Sequence, residues 1–342
     1  MAEFEDACNA LAEIISDYRE GDAIPRGPQH VAQWISQFDE PDRLGILREL
    51  SHVLGSTYIS RAKIVGFLNG LFATKDLVGD DPCAFWRSAN FLDIQGGGHS
   101  QKEMLALFDV LLKRQCGFGI AETGQGNALY VYLDDAMFTG NRVKQDIINW
   151  LPNAPEKAEL HVIVAATHEG TWWARSKVSE AITASKKDLK VRWWRSINLE
   201  DRKYRINVSD VLRPIAIPDI ADVQAYANQL AYAPTLRAAG STGLLGLFSS
   251  DASRQLLERT FLIGGVQVRS VCPHLNEYQR PLGNMVLAYL GFGSLISTFR
   301  NCPNNAPLVL WAGDPWYPLL PRTTNSQTAM RHWLEALAQE DA

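Results

Sequence analysis

The residues best suited to chemistry lie in the segment 128–143, where a strand, an acidic pair, a turn and a helix follow one another. Asp134 and Asp135 come directly after the apolar run ALYVYL, and Thr139-Gly140-Asn141 opens the helix. Two adjacent carboxylates cannot both face a core cheaply, so at least one should find water, a ligand or a partner. Glycine permits a tight turn, and the free N–H groups of a helix N-terminus form an anion site suited to phosphate. A ribose phosphate would satisfy both features, with its hydroxyls on the carboxylates and its 5′-phosphate in the turn.

The elements around this segment predict a parallel sheet. Short apolar strands alternate with helices, as is typical of βαβ units. The runs VIVAA and ALYVYL suit strands that are covered on both faces. In such sheets ligands bind beyond the carboxyl ends of the strands, where the acidic pair falls. The predicted strands are Phe91–Gln95, Ala128–Leu133, His161–Ala166 and Lys190–Ser196, and the predicted helices are Gln101–Lys113, Val143–Leu151 and Ala174–Ser185.

The flanks of this region predict a different organisation. Apolar residues recur at helical spacing from Glu3 to about Thr74, which indicates several helices. We therefore predict a helical cap over 1–80, an α/β core over 81–215 and an accessory region over 216–342. In the last region, Ser253–Leu262 and Thr328–Ala338 read as helices, the first with Ser253 as N-cap. The proline-rich stretch Asn301–Arg322 finds no place in the sheet, and a lid, an interface and an irregular core wall stay open for it.

The segment LYVYLDDAMFTGNRV resembles the phosphoribosyl-pyrophosphate motif of type I phosphoribosyltransferases. The resemblance implies that Asp134 and Asp135 hold the 2′- and 3′-hydroxyls of the ribose and that Thr139 and Gly140 hold its 5′-phosphate. The family usually continues Gly-Gly-Thr or Gly-Gly-Ser, whereas this chain has Gly140-Asn141-Arg142. Arg142 replaces a hydroxyl with a charge that either binds the phosphate or points to solvent. The mobile hood loop of the family is not evident.

A second glycine-rich turn, Gly96-Gly97-Gly98-His99-Ser100, precedes a helix in the same way. The family has a pyrophosphate-binding loop after an early strand, and this turn is its natural counterpart. The resemblance implies that the amides of Gly97 and Gly98, with Ser100 and Lys102, hold the diphosphate. A plain flexible turn is the competing interpretation, and His99 as a base is a weaker one.

The whole chain is similar to the divergent phosphoribosyltransferase-like proteins of bacterial conflict systems, through the Trp34…Phe38 pattern, LDDxxxTGNRV and FRNCPNN…LW. That resemblance implies an anti-phage effector that binds phosphoribosyl pyrophosphate or a related nucleotide and cleaves or transfers at the ribose C1. Its chemistry would pass through an oxocarbenium-like transition state. Mg²⁺ would bridge the diphosphate oxygens, without a dedicated protein metal site. One alternative is an inactive nucleotide-sensing or scaffold subunit, beside a reverse transcriptase or a DNA-binding protein. A further alternative is an unrelated α/β hydrolase or sugar-phosphate binder.

Composition limits the compartment and the partners. The net charge of −5 gives no global positive field to attract nucleic acid or an anionic membrane. The N-terminus lacks the pattern of a secretory signal, and the apolar stretch Met285–Ser297 is too short to span a bilayer. The cysteines are five in number, widely spaced and without a CxxC pair, which favours free thiols and a cytoplasmic protein.

Two further signals are weaker. Trp172-Trp173 and Trp193-Trp194 flank a basic stretch ending at Arg195, a combination that can bind single strands by stacking and charge. A solvated helix face whose tryptophans cover a sheet edge is the favoured interpretation, although the patch is the best candidate for a nucleic-acid or protein contact. His168-Glu169 follows a strand at the ligand edge and is more typical of a turn than of a metal site.

Overall fold

The structure of the protein is a computed structural model, which describes residues 2–22, 24, 26–96, 100–126, 128–287 and 289–322. Gly97, Gly98 and His99 of the second turn and the predicted helix Thr328–Ala338 lie outside the described residues. The α-helices are α1 (Ala2–Ile14), α2 (Pro28–Ile35), α3 (Glu40–Thr57), α4 (Arg61–Ala73), α5 (Lys75–Val78), α6 (Pro82–Ser88), α7 (Ser100–Cys116), α8 (Asn141–Trp150), α9 (Trp172–Ser185), α10 (Ala221–Asn228), α11 (Asp251–Val271) and α12 (Leu308–Trp311). The strands are β1 (Tyr58–Ile59), β2 (Asn90–Phe91), β3 (Leu129–Met137), β4 (Lys157–His168), β5 (Asp188–Leu199), β6 (Gln279–Arg280), β7 (Gly283–Asn284) and β8 (Ser297–Thr298).

Two compact units make up the chain. The sheet unit spans residues 61–199, and the helical unit combines residues up to 60 with those from 200 onward. The N-terminal helices belong with the C-terminal region because α1 and α3 share one apolar core with α11 and α12. The three-part division at residues 80 and 215 stays a prediction, since compact units need not coincide with evolutionary domains.

The sheet unit is built on four parallel strands in the order β2-β3-β4-β5. This arrangement confirms the predicted α/β fold with a parallel sheet. The inner strand β4 is buried over nearly its whole length, as expected for a strand covered on both faces. On one face α8 and α9 pack against Tyr132, Val162 and Val164. On the other, the rings of Trp86 and Phe108 lie 4.8 Å apart.

Every predicted strand and helix of this region exists, with shifted bounds. The first strand is shorter than predicted and ends at Phe91. The N–H groups of Ile94 and Gln95 bond to the side chain of Gln101 at 2.7 and 2.9 Å, so they are not available to a neighbouring strand. The strand that carries the acidic pair is longer than predicted and continues to Met137.

The helical unit has a core rich in aromatic rings. Trp34 is fully buried, and its indole N–H donates to the carbonyl of Val309 at 2.8 Å. Phe38 packs edge-on against both Trp34 and Trp316. The stretch Asn301–Arg322 is therefore largely an irregular wall of this core, because α12 within it is wholly buried.

The prediction for the cap of α11 was wrong. The helix begins at Asp251, and Ser250 is its N-cap, accepting the N–H of Ser253 at 3.0 Å. An N-cap residue precedes the helix, and its side chain accepts an N–H of the first turn. Ser250 has that position, whereas Ser253 already lies within the first turn.

The prediction of free thiols was wrong for one pair of cysteines. Cys83 and Cys116 form a disulfide with their Cα atoms 5.5 Å apart. The two residues are 33 positions apart in sequence and meet because α6 packs on α7. Cys8, Cys272 and Cys302 are free and buried. Within the described residues, no helix is long and apolar enough to cross a membrane.

Candidate active site at the carboxyl edge of the sheet

The acidic pair lies near the carboxyl end of β3, with its two members in different surroundings. Asp134 is 3% exposed, and its Oδ1 accepts the N–H of Asp135 at 2.9 Å. Its Oδ2 accepts a hydrogen bond from Gln95 Nε2 at 3.1 Å. Asp135 is half-buried, and its Oδ1 accepts the N–H of Ala136 at 2.7 Å. Asp135 is thus the more accessible carboxylate, and Asp134 is oriented by its neighbours.

The predicted phosphate turn follows β3 and opens α8. Gly140 adopts a left-handed conformation with φ 73° and is the N-cap of the helix. The N–H of Asn141 points at Thr139 Oγ1, 3.3 Å away. Thr139, Asn141 and Arg142 are exposed. These exposed residues border the N-terminus of α8, a helix end of the kind whose free N–H groups can bind an anion.

The second turn begins beside the acidic pair, with Gln95 as its link. Besides the bond to Asp134, Gln95 Nε2 donates to Ser100 Oγ at 2.9 Å. The N–H of Gly96 donates to Asp146 Oδ1 on α8 at 3.2 Å. The structure thus brings Ser100 and the start of the glycine turn to Asp134 and to α8. Lys102 lies exposed in the first turn of α7, and no contact ties it to this cluster in the described part of the chain.

Arg142 faces the start of the second turn. A Cβ atom placed on Gly96 would lie 3.7 Å from Arg142 Nη1 and 3.6 Å from Asp146 Oδ1. Asp146 follows Arg142 by four residues on α8, so the two side chains share one helix face. The guanidinium of Arg142 thus lies beside Gly96, and its role in phosphate binding stays a prediction.

A buried phenol supports the same corner. Tyr132 donates from its hydroxyl to Asp146 Oδ2 at 2.9 Å. Burial, together with the nearby carboxylates of Asp134 and Asp146, raises the pKa of Tyr132 far above its usual range. The phenol therefore keeps its proton and stays a hydrogen-bond donor. It orients the carboxylate of Asp146, whose other oxygen accepts the N–H of Gly96.

The loop after β4 forms a third part of the edge. His168 is buried, with the ring of Phe138 at 5.3 Å, and its carbonyl accepts the hydroxyl of Thr171 at 2.7 Å. Glu169 accepts a hydrogen bond from Asn198 and lies 4.0 Å from Arg195 Nη2. These contacts fit a turn, and among the described residues no cluster of His, Cys, Asp and Glu is arranged to hold a metal ion.

Sequence reasoning missed Gln95, Asp146 and Tyr132. Gln95 directly precedes the glycine run, and Asp146 follows the Thr-Gly turn by six residues. No local sequence pattern marks either residue, because the role of each depends on how α8 packs against the turn after β2. The strand position of Tyr132 predicted burial but not its carboxylate partner.

The parallel sheet thus carries the acidic pair on β3 and a glycine-capped turn at the start of α8. The PRTase-CE family model matches residues 31–322. The chain therefore belongs to the PRTase-CE family. No curated protein and no solved structure gives a significant match to the chain.

The phosphate turn should tolerate no side chain at Gly140. A Cβ there would lie 2.7 Å from the Cβ of Ala174 and 3.4 Å from that of Thr171, in a backbone region with positive φ. We expect Gly140→Ala to lower the free energy of unfolding by about 2–4 kcal/mol, from left-handed strain and overpacking. Chemical denaturation followed by circular dichroism measures this change.

Gly66 supplies a matched control in the same unit. It lies within α4, and a Cβ there would meet no atom within 4 Å. Gly66→Ala should be neutral or stabilise by up to about 1 kcal/mol, because alanine is the better helix former. Equal losses in the two variants would refute the steric argument for Gly140.

Proposed function

We propose that the protein binds phosphoribosyl pyrophosphate, or a nucleotide that shares its ribose phosphate, at the carboxyl edge of the sheet. Asp134 and Asp135 accept the ribose hydroxyls, and the turn Thr139–Arg142 binds the 5′-phosphate. The segment Gly96–Ser100, with Lys102, receives the diphosphate or its equivalent. The observation that supports this proposal is the Gln95 side chain, whose Nε2 donates to both Ser100 and Asp134 and so holds the start of α7 beside the acidic pair.

The arrangement suits a reaction at the ribose C1. As the diphosphate or the base departs, the sugar gains oxocarbenium character. The protein would contribute by positioning the substrate and by stabilising the charge of the transition state. The carboxylates hold the hydroxyls on the sugar ring, while Arg142 and the amides of the turn balance the phosphate charge. Arg142 provides a permanent positive charge where the family has a neutral hydroxyl.

Mg²⁺ fits this donor set as a companion of the diphosphate. The ion keeps several waters and takes one or two protein carboxylates beside substrate phosphates. Asp135 is the carboxylate with the accessibility for that role, since Asp134 is buried. When bound, the ion would neutralise diphosphate charge.

A second candidate function is binding without turnover, as a nucleotide sensor or scaffold in an anti-phage defence complex. The observation that favours it is the sequence Gly140-Asn141-Arg142, in which an arginine stands where the family usually has the hydroxyl that helps to bind the phosphate. The defence role itself, and a partner such as a reverse transcriptase or DNA-binding protein, follow from the resemblance to conflict-system proteins.

Calorimetric titration of the full chain tests the binding proposal. We expect phosphoribosyl pyrophosphate with Mg²⁺ to bind more tightly than ribose 5-phosphate, because only the former reaches the second turn. Chelation of Mg²⁺ should weaken the binding of phosphoribosyl pyrophosphate more than the binding of ribose 5-phosphate. A folded chain that binds neither ligand, nor common nucleotides, would overturn the proposal. Phosphorus NMR of samples with an added acceptor base separates the two candidates, since only an active enzyme converts phosphoribosyl pyrophosphate to diphosphate or a nucleotide to ribose 5-phosphate.

A further inference from the structure

The start of α9 exposes two neighbouring tryptophans. Trp172 is 55% exposed and Trp173 is 47% exposed, although large aromatic side chains normally bury most of their surface. Both follow the loop after β4, and α9 packs beside α8. Indole rings in this position offer flat faces on which a base can stack.

Positive groups lie near these rings. Lys144 of α8 places its ammonium 4.8 Å from the centre of the Trp173 ring. Arg175 is three residues after Trp172, so the two share a helix face. Its guanidinium lies 5.3 Å from the centre of the Trp193 ring, and its Nε has no hydrogen-bond partner among the described residues.

Arg195 extends the positive groups onto β5. It follows Trp193 by two residues and therefore lies on the same face of the strand. Burial, and after it the charge of Arg195, lowers the pKa of Arg175. Two arginines held close to each other, with Glu169 as the nearby carboxylate, retain positive charge that suits an anion.

We propose that the strip formed by Lys144, Trp173, Trp172, Arg175 and Arg195 binds single-stranded nucleic acid. Bases stack on the two exposed indoles, and backbone phosphates meet the three cations. The strip combines two flat rings with three cations, the pairing of stacking and charge by which proteins bind single strands. The local charge acts at short range, because salt screens charges beyond about 8 Å, so the acidic remainder of the chain does not cancel it. The other tryptophan, Trp194, lies outside the strip, since it stacks on His161.

Fluorescence anisotropy with a labelled oligothymidine of about 12 nucleotides, a length within the usual site size, tests the proposal. We expect Trp172→Ala and Trp173→Ala each to weaken binding roughly 5- to 150-fold, the loss of one stacked base. Arg175→Gln and Lys144→Gln should each reduce the slope of log affinity against log salt by about 0.7. Circular dichroism shows whether each variant is folded. If Arg175→Gln does not fold, Lys144→Gln still tests the role of the cations.

Tyr204→Ala is the matched control. Tyr204 is more exposed than either tryptophan and also lies under an arginine, Arg202, at 5.1 Å, but it belongs to the helical unit. Tyr204→Ala should leave oligothymidine binding unchanged. The assay contains no phosphoribosyl pyrophosphate, so failure of the proposed ribose phosphate site would not affect the result. The proposal is overturned if the native chain binds no oligonucleotide at low salt, if thymidine monophosphate competes equally per nucleotide, or if the tryptophan variants bind like the native chain.

Discussion

The double variant Asp134→Asn/Asp135→Asn should lose binding of phosphoribosyl pyrophosphate by a factor of about 10²–10⁴. Each carboxylate is proposed to accept a ribose hydroxyl, and a hydrogen bond to a charged group contributes about 1.5–3 kcal/mol. Asparagine preserves the shape of the side chain but removes the charge and one acceptor oxygen. Calorimetric titration in the presence of Mg²⁺ measures the change directly.

Separating binding from folding requires the single variants. Asp134→Asn leaves one acceptor oxygen for two donors, Gln95 Nε2 and the N–H of Asp135, so this substitution also disturbs the second turn. Asp135→Asn is the cleaner test, because Asp135 is half-buried and accepts the N–H of the adjacent Ala136, a bond that the amide oxygen of asparagine can keep. Thermal unfolding of each variant shows how much structure is lost.

Asp188 provides the control carboxylate. It begins β5 at the amino edge of the sheet, where it is exposed and lies 3.6 Å from Lys157 Nζ. Asp188→Asn should bind the ligand like the native chain. If the folded double variant also kept native affinity, the acidic pair would have no role in ligand binding, whatever the fold.

The sequence predicted the parts of the site that depend on local pattern. The apolar run before Asp134 indicated a buried strand, and Thr139-Gly140 indicated a turn at its carboxyl end. Gly140 was predictable because positive φ at a helix start favours a residue without a Cβ. The parallel sheet followed from alternation of strands and helices. The strand and the turn were both predictable because the residues that specify them lie within a single short segment, 128–143.

Contacts between distant segments were not predictable in this way. Gln95 reaches Asp134 across 39 positions, and Cys83 meets Cys116 across 33. The pairs Trp172-Trp173 and Trp193-Trp194 looked alike in sequence, yet α9 exposes the first pair while β5 sends Trp193 and Trp194 to different partners, Arg175 and His161. Alternation along the strand explains this division, but only the packed structure supplies the partners.

The helical unit contains a buried charge cluster that no sequence motif indicated. Glu258 of α11 is 1% exposed and accepts hydrogen bonds from Arg237, at 2.8 and 3.1 Å, and from Arg254 Nε at 2.8 Å. It also accepts the backbone N–H of Arg213 at 2.9 Å. The side chains of Arg237 and Arg254 are themselves fully buried. One carboxylate therefore bridges two guanidiniums that have little access to water, and Asp251 supplies a second negative charge beside Arg237.

Glu258→Gln should be among the most destabilising single substitutions in the chain. The amide keeps one acceptor oxygen but places an NH₂ group against an arginine, and it leaves two buried cations with Asp251 as the remaining partner of Arg237. Removing one partner of a buried ion pair costs about 3–5 kcal/mol. Urea denaturation followed by circular dichroism should show the midpoint falling accordingly, with loss of the folded helical unit as the extreme result.

Glu180→Gln is the corresponding change at an exposed pair. Glu180 lies on α9, and its Oε2 is 2.6 Å from Lys177 Nζ at the surface. Because solvent screens that pair, its loss should leave the urea midpoint nearly unchanged. A small effect at both positions would mean that water or rearranged side chains reach Arg237 and Arg254, contrary to their burial. A large effect confined to Glu258 would show that the cluster, and not helical propensity, holds α11 to the segments that carry Arg213 and Arg237.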